Sequence, residues 1–402
     1  MIRLSLLSAL VFALALSACD EPSSAGLDLI GEEGGVPMPL TVSASAIEQD
    51  TLSEVTGGFA ALSLPTVSRT LVGRADDPLF GVVSADAFID FVRPASLPEG
   101  FTDGTVTRVV LELPVEYVYG DPEGVSRYEL FEIPDDWSPT EASPDSVFVD
   151  FGTAEAISSV DVSRSDTTVT IELPEAWVGA RGEALTASGF ESEFHGLALR
   201  AAGDGEGYAG PGIVRGFDAP RIRLALSVAD TTVRFAANEV ATRIAWGDVP
   251  STPQNRIVAR DGANEVIEMA FPLDREGVAG QPLNNAEFRV ALDTLLYDTP
   301  AGSAEFERPQ PETLEFLGVL EGETNALLRL GVMVFDADLG VYRLSSATLT
   351  SFMQDEILGA NVFSGYQLRV PNDPASLDVL PVFSPELPDQ APRFEFVVSG
   401  GN

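Results

Sequence analysis

Short runs in which apolar and polar residues alternate recur along most of this 402-residue chain. Alternation with a period of two is typical of β-strands that bury one face, and glycine, proline, aspartate and asparagine at the ends of the runs favour turns. Helical periodicity is confined to two short segments, near 174–178 and 351–358. The pattern therefore predicts an all-β protein of antiparallel sandwiches, with strands over Thr105–Leu113, Thr167–Leu173, Arg221–Val228, Glu287–Leu292 and Arg393–Val398.

Three short sequence matches occur in the same order in both halves of the chain. The clearest is F-x-G-x-x-L-R, at Phe194–Arg200 and Phe363–Arg369. The others join 219–224 with 391–396 and 108–113 with 287–292. Matches in one order with slowly drifting offsets indicate a tandem duplication, and chance similarity between strands is the alternative. We predict two tandem jelly-roll-like β-sandwich domains, over 41–230 and 231–402.

The N-terminus has the layout of a secretory signal, with Arg3 followed by the apolar run Leu4–Leu16. This run is too short to span a bilayer, which needs about 20 residues. Leu16-Ser17-Ala18-Cys19 resembles the bacterial lipobox Leu-(Ala/Ser)-(Gly/Ala)-Cys at every position, and Cys19 is the only cysteine in the chain. The resemblance implies that residues 1–18 form a signal peptide that is removed, and that Cys19 carries lipid. Two or more acyl chains anchor a protein stably.

Residues 19–40 are acidic and rich in glycine and other small residues, and this composition predicts a flexible tether. Acidic residues directly after the lipidated cysteine resemble the surface-export signals of Bacteroidota lipoproteins, and a solvated acidic linker is the alternative. The expected location is the outer membrane, lipid-anchored, on its periplasmic or cell-surface face.

Two further segments resemble known proteins. The closing strands, Gly216–Leu226 among them, are similar to those of secreted jelly-roll modules of the carbohydrate-binding type. Leu71–Gly81 (LVGRADDPLFG) resembles the LGxxxDPxFG segment of a Bacteroidota outer-membrane lipoprotein family of unknown function, which also has a later F-x-G-L strand. One departure is His195, where that family often has a lysine. The resemblance implies an envelope lipoprotein without an established activity.

The chain is strongly acidic, with 62 acidic and 23 basic residues and a formal net charge of −39. All the basic residues are arginine. The acids are spread along the chain, which favours a surface adapted to concentrated salt over a local polyanionic binding patch. Nucleic acid is excluded as an expected partner, because phosphate binding requires clustered positive charge.

The residue inventory restricts the possible chemistry. Nucleophilic triads and histidine-based metal sites would have to use His195 or Cys19, and a chain without lysine has no Schiff-base chemistry. His195 lies within a predicted strand and is expected to be structural. Paired carboxylates could still hydrolyse glycosides.

Two kinds of ligand site remain as candidates. Trp137 and Trp177 lie beside acidic residues, and with Tyr117 and Tyr119 they could form an aromatic platform for a glycan, although core packing is the more common role of such residues. Asp336 and Asp338 alternate in a turn and could bind calcium through oxygen ligands; a solvated turn is the alternative.

The expected function is therefore non-catalytic: binding, adhesion or an accessory role in an envelope complex, with a glycan or an outer-membrane protein as partner. The alternatives are a calcium-assisted glycan-binding lipoprotein and a glycoside hydrolase that uses carboxylates alone.

Overall fold

The computed structural model describes residues 37–51, 59–63, 68–139, 148–163, 166–202, 211–248, 255–262, 265–274, 277–301, 305–322, 326–360, 362–371 and 375–399. These residues form large antiparallel sheets in a sandwich-like arrangement, which confirms the predicted fold class. None of the helices in these ranges has the length and apolar character needed to cross a membrane.

The first unit is an eleven-stranded sheet. The sheet closes on itself, because its last strand in the chain, Thr231–Trp246, pairs both with Arg223–Val228 and with Gly81–Val92, which lie far apart in the sheet order. Helices α1 (Glu175–Thr186) and α2 (Phe190–Glu193) and a 3-10 turn (Ala219–Arg221) belong to this unit. Its strands are β3 (Phe59–Ser63), β4 (Arg69–Asp77), β5 (Gly81–Val92), β6 (Val106–Gly120), β7 (Ser126–Glu132), β8 (Ser158–Val162), β9 (Thr168–Glu172), β10 (Leu197–Ala201), β11 (Gly212–Asp218), β12 (Arg223–Val228) and β13 (Thr231–Trp246).

The second unit is a nine-stranded sheet with a separate two-stranded sheet, β14 (Arg256–Arg260) and β21 (Val379–Phe383). Helix α3 (Ala347–Ile357) and a 3-10 turn (Thr294–Leu296) complete it. The strands of its large sheet are β1 (Pro37–Ser43), β2 (Ala46–Thr51), β15 (Glu265–Ala270), β16 (Leu283–Ala291), β17 (Thr313–Leu320), β18 (Leu327–Asp336), β19 (Val341–Ser345), β20 (Phe363–Arg369) and β22 (Arg393–Ser399). The two edge strands, β1 and β2, are consecutive in the chain, so the sheet curves until its edges approach each other.

Each unit encloses its own apolar core. Phe91, Leu111 and Phe235 are fully buried in the first, and Phe288, Phe316 and Phe394 in the second. The five predicted strands and both helical segments are present; the helices are longer than the sequence pattern indicated.

Strands β4 to β12 and strands β14 to β22 occupy equivalent places in the two units. β4 pairs with β11 as β14 does with β21, β6 with β12 as β16 does with β22, and β7 with β10 as β17 does with β20. A helix lies between β9 and β10 in one unit and between β19 and β20 in the other. Element order and strand neighbours thus repeat along the chain.

The strand that opens each repeat pairs with the other unit. β13 opens the second repeat but pairs with β12 and β5 of the first unit. β1 and β2 open the first repeat but pair with β22 and β15, which are the equivalents of β12 and β5. The strand neighbours therefore recur on either side of residues 230 and 231, and each unit contains the leading strand of the other half of the chain.

The beginning of β1 corrects the predicted extent of the tether. The composition predicts a tether that extends to residue 40, but residues 37–40 belong to a strand that pairs with β22. Met38, Leu40 and Val42 alternate in this strand, Leu40 packs against the second core, and Val42 is fully buried in it. The apolar alternation outweighs the acidic, glycine-rich composition that precedes it.

The strand exchange predicts that Val42, in the first sequence repeat, stabilises the second unit. We expect Val42→Ala to lower the free energy of unfolding by about 2 kcal/mol, because it removes buried methyl groups and leaves a cavity. In hydrogen exchange, amide protection should fall first in β22 and β15.

Met38→Ala is the matched control, since Met38 lies in the same strand and is 48% exposed. It should change the free energy by no more than about 0.5 kcal/mol. Loss of protection in β6 before β22 would contradict the exchange.

Candidate functional site

The two units meet across an interface that contains apolar residues from both. Leu71 and Phe80 of the first unit and Val258 and Leu377 of the second belong to one buried cluster. The backbone continues this contact, because Gly120 N donates to Glu307 O at 2.9 Å and Glu307 N donates to Gly120 O at 2.7 Å. The interface is thus packed and hydrogen-bonded as a core is.

A buried ion pair crosses this interface. Arg308 of the second unit donates from Nε to Asp77 Oδ2 at 2.6 Å and from Nη2 to Asp77 Oδ1 at 2.9 Å. Both side chains are 0% exposed. The Tyr119 hydroxyl donates to Asp77 Oδ2 at 2.7 Å, and Nη1 of Arg308 donates to the carbonyl of Thr299. A buried charge pair needs such additional partners to offset the cost of desolvation.

Asp77 also organises its own chain segment. Its Oδ1 accepts from the backbone N–H of Leu79 at 2.8 Å and of Phe80 at 3.3 Å, in the turn between β4 and β5. Gly81 follows with φ +94°, and a Cβ there would lie 2.5 Å from the carbonyl oxygen of Asp248. The Asp-Pro-Leu-Phe-Gly segment is therefore the turn that presents Asp77 to Arg308.

A second polar group lies nearby in the same interface. Ser376 Oγ donates to Asp261 Oδ2 at 2.6 Å, and the Tyr117 hydroxyl donates to Asp378 Oδ1 at 3.2 Å. Burial raises the pKa of Asp261 to about 7, and the Asp378 carboxylate adds to the increase. Burial likewise raises the pKa of Asp378 to about 6, with a further contribution from Glu312.

Beside this group a cleft of about 320 Å³ opens between the units; we call it the interface cleft. Clefts between domains that contain a few polar groups and a carboxyl with a perturbed pKa are common ligand sites. The interface cleft is thus the candidate functional site. Its lining residues are Ser68, Arg69, Glu116, Tyr117, Pro309, Gln310, Glu312, Thr313, Val370, Pro371, Ser376 and Asp378.

The four aromatic residues predicted as a glycan platform lie in three different clusters. Trp137 is 9% exposed, packs against Phe88 and Phe148, and donates to the carbonyl of His195 at 2.9 Å. Trp177, in α1, is partly buried against the first core and donates to Glu132 at 2.8 Å.

Tyr117 and Tyr119 are buried at the interface. Their hydroxyls are bonded to Asp378 and Asp77, and Arg69 lies 4.5 Å from the centre of the Tyr117 ring. These positions do not form one exposed platform, because the residues pack in separate clusters. Only Tyr117 reaches the cleft.

The predicted calcium ligands lie in the turn between β18 and β19. Asp336 Oδ1 accepts from the backbone N–H of Asp338 and of Leu339, each at 3.2 Å, and Arg343 donates to its Oδ2 at 3.2 Å. The hydrogen bond from Arg343 lowers the pKa of Asp336. Its own turn and an arginine thus provide the partners of this carboxylate. The described residues contain no cluster of three or more His, Cys, Asp or Glu side chains suited to a metal ion.

Cys19 lies outside the described residues. Arg308, Asp261 and Asp378 are not predictable from the sequence, because each acquires its role from a partner more than 100 positions away. One sequence feature that points to the interface is Asp77, an aspartate before Pro-Leu-Phe-Gly at the end of an apolar strand.

No family model matches the sequence, and no curated protein matches it. Among solved structures, a "putative secreted protein" from Parabacteroides distasonis aligns with 90% of this chain and 100% of its own, at 12% identity and a TM-score of 0.23. The structure of deformed wing virus, a honeybee pathogen, aligns with 89% of this chain and 87% of its own, at 12% identity and a TM-score of 0.13. At these TM-scores neither likeness carries an argument about function.

The buried ion pair predicts a large effect of Asp77→Asn. Removing the carboxylate leaves Arg308 charged and buried without its partner, and we expect the free energy of unfolding to fall by about 3–5 kcal/mol. Glu112→Gln is the control, because it breaks a more exposed pair with Arg234 and should cost at most about 1 kcal/mol. Chemical denaturation measures both, and equal effects would refute a special role of the buried pair.

The raised pKa of Asp261 predicts a specific pH dependence. Between about pH 4 and pH 7 an unfolded aspartate is ionised while Asp261 stays protonated, so the folded state loses stability as pH rises through this range. Asp261→Asn should reduce this slope of the free energy of unfolding by up to about 1.4 kcal/mol per pH unit. Asp336→Asn, at a carboxyl whose pKa is lowered, should leave the slope above pH 4 unchanged. An unaltered slope in Asp261→Asn would show that Asp261 is ionised in the folded protein.

Proposed function

We propose that this protein is a lipid-anchored protein of the bacterial outer membrane that binds its partner without catalysis, as a binding, adhesion or accessory component of the envelope. The interface cleft carries this proposal, because it joins polar groups of both units in one concave site. The lipobox-like segment at 16–19 and the acidic residues after Cys19 support the anchor.

The construction of the interface suits a protein that presents a fixed surface. The exchanged strands and the Asp77–Arg308 pair hold the two units in one arrangement, so the cleft between them has fixed walls. A preorganised site loses little conformational entropy when it binds a ligand. A tether from a lipid anchor would keep such a site near the membrane while leaving it free to reorient.

The two alternative functions make different demands. A glycan-binding protein could use the interface cleft, whereas Trp137 and Trp177 pack in separate clusters of the first unit and do not form one platform. A carboxylate-only glycoside hydrolase would use Asp378 and Glu312, which face the same cleft. Turnover of a polysaccharide, abolished by Glu312→Gln, would favour the hydrolase over the non-catalytic function.

The anchor predicts that Cys19→Ala releases the protein from membranes. Without the thiol no diacylglyceryl group can be attached, and no other acyl chain then holds the protein. Fractionation of cells and immunoblotting should move the protein from the outer-membrane fraction to a soluble one.

Ser23→Ala, four residues further along the tether, is the control and should remain in the membrane fraction. Retention of Cys19→Ala in the outer membrane would exclude lipidation as the anchor.

A further inference from the structure

One end of the nine-stranded sheet in the second unit is covered by helix α3, which packs against β16 and β18. Neighbouring strands are antiparallel, so β1, β16, β18 and β20 begin at this end, and β22, β17 and β15 finish there. We call it the capped end. The strand termini that define it are Pro37, Leu283, Leu320, Leu327 and Phe363.

Four large apolar side chains at the capped end are 43–62% exposed: Met38, Leu327, Leu358 and Val362. Met38 and Leu327 lie at the starts of β1 and β18. Leu358 directly follows α3, and the carbonyl of Val362 accepts from the N–H of Glu321, which follows β17. Apolar side chains that separate segments expose in one place are typical of an interaction surface.

The opposite end of the same sheet meets the first unit. β17 begins there at Thr313, and β20 is followed there by Val370 and Pro371, and all three residues line the interface cleft. From Thr313, the 8 residues of β17 extend to the capped end, a length of about 25 Å. The interface cleft and the capped end thus lie at opposite ends of the second unit.

The described part of the chain begins at the capped end. Its first residue is Pro37, at the start of β1, and Cys19 lies 18 positions earlier. A glycine-rich coil of this length spans about 23 Å on average, which is comparable to the length of the second unit. A lipid on Cys19 would therefore keep the capped end nearer to the bilayer than the interface cleft.

We propose that the capped end contacts the lipid surface in which Cys19 is anchored, with Met38, Leu327, Leu358 and Val362 at the boundary between headgroups and acyl chains. This inference rests on the proposed lipid anchor. A tether raises the local concentration of one surface at another, so that a contact too weak to form alone becomes populated. The tether by itself leaves the protein free to reorient, whereas this contact selects one orientation and presents the interface cleft away from the membrane.

The charges at the capped end indicate that the contact is apolar. Glu321 is exposed there, and Glu356 of α3 is half-buried and accepts from the Tyr366 hydroxyl at 2.8 Å. Attraction to anionic headgroups requires clustered basic residues, and an acidic end is repelled instead. The contact is therefore expected with lipid of no net charge, in concentrated salt that screens the remaining repulsion.

Fluorescence quenching in proteoliposomes tests the orientation. The lipidated full chain with Leu358→Cys, labelled with a fluorophore whose emission depends on polarity, is reconstituted in phosphatidylcholine vesicles in concentrated salt. Lipids that carry a nitroxide near the headgroups should quench its emission at least about twofold, because apolar side chains of an interfacial surface enter that layer.

Leu339→Cys is the matched control. Leu339 is 54% exposed in the turn between β18 and β19, at the opposite end of the same sheet, and a label there should not be quenched. Equal quenching at both positions, or none at Leu358→Cys, would overturn the proposal. Emission from Leu358→Cys that shifts to the blue without quenching would also overturn it, in favour of a second copy of the chain on this surface.

The contribution of the apolar side chains can be measured with the label at Leu327→Cys. Adding Leu358→Ser should reduce the quenching by about twofold or more, because it removes apolar surface from a contact that the tether only just populates. Leu339→Ser makes the same change at the other end and should have no effect. Both leucines are exposed, so both variants should fold normally. Equal effects of the two serine variants would overturn the proposal.

The number of fluorophores per chain separates failure of the anchor from failure of this inference. Lipidation consumes the thiol of Cys19, which is the only cysteine of the chain, so each labelled variant should carry one fluorophore. Two fluorophores per chain would show that Cys19 is unmodified, and would overturn the anchor together with the inference. One fluorophore per chain without quenching at Leu358→Cys would overturn the inference alone.

Discussion

The structure depends on the pairing of each repeat's leading strand with the other repeat's sheet. β13 closes the first unit by bridging β12 and β5, and β1 with β2 bridges β22 and β15 in the second. Without these strands each unit would expose strand edges, which are sites for pairing with other chains. Neither repeat can therefore complete its own sheet from its own sequence, and the two must fold as one body. This explains why the interface between them is packed like a hydrophobic core.

The buried Asp77–Arg308 pair lies at the interface between these two units. A buried ion pair is weak evidence for stability, because apolar residues of similar volume can often replace it at no cost. Its geometry nevertheless admits one arrangement: Arg308 is also bonded to the Thr299 and Tyr297 carbonyls, and Asp77 to the Leu79 and Phe80 amides. We expect the pair to fix the position of one unit against the other more specifically than apolar contacts alone would.

The sequence allowed the strands to be predicted because their cause is local. In Arg393–Val398 the alternation of Phe394, Phe396 and Val398 is itself the reason for the buried face, so the pattern and the structure coincide. The exchange of β1 and β13 has no such local cause. Leu40 and Phe235 would suit a strand of either unit, so the local sequence does not determine with which unit each strand pairs. For the same reason Tyr117 is predicted from the sequence as part of a glycan platform and not as a residue of the interface between the units. Its role is set by Asp378, 261 positions away.

The positions of the arginines explain how the fold accommodates so acidic a composition. Many pair with carboxylates on neighbouring strands, as Arg369 and Arg329 do with Glu315, and Arg289 with Glu395. Arg289 also pairs with Glu287 of its own strand. Such pairs are partly solvated, contribute little each, and weaken as salt screens them. With 23 arginines for 62 acids, most carboxylates must face solvent, where water satisfies them at little cost. Asp378 is different because burial removes water from its carboxyl group, and the opposing effect of Arg69 does not prevent its pKa from rising to about 6. In a protein with so many solvated carboxylates, a buried carboxyl group such as that of Asp378 is therefore the exception.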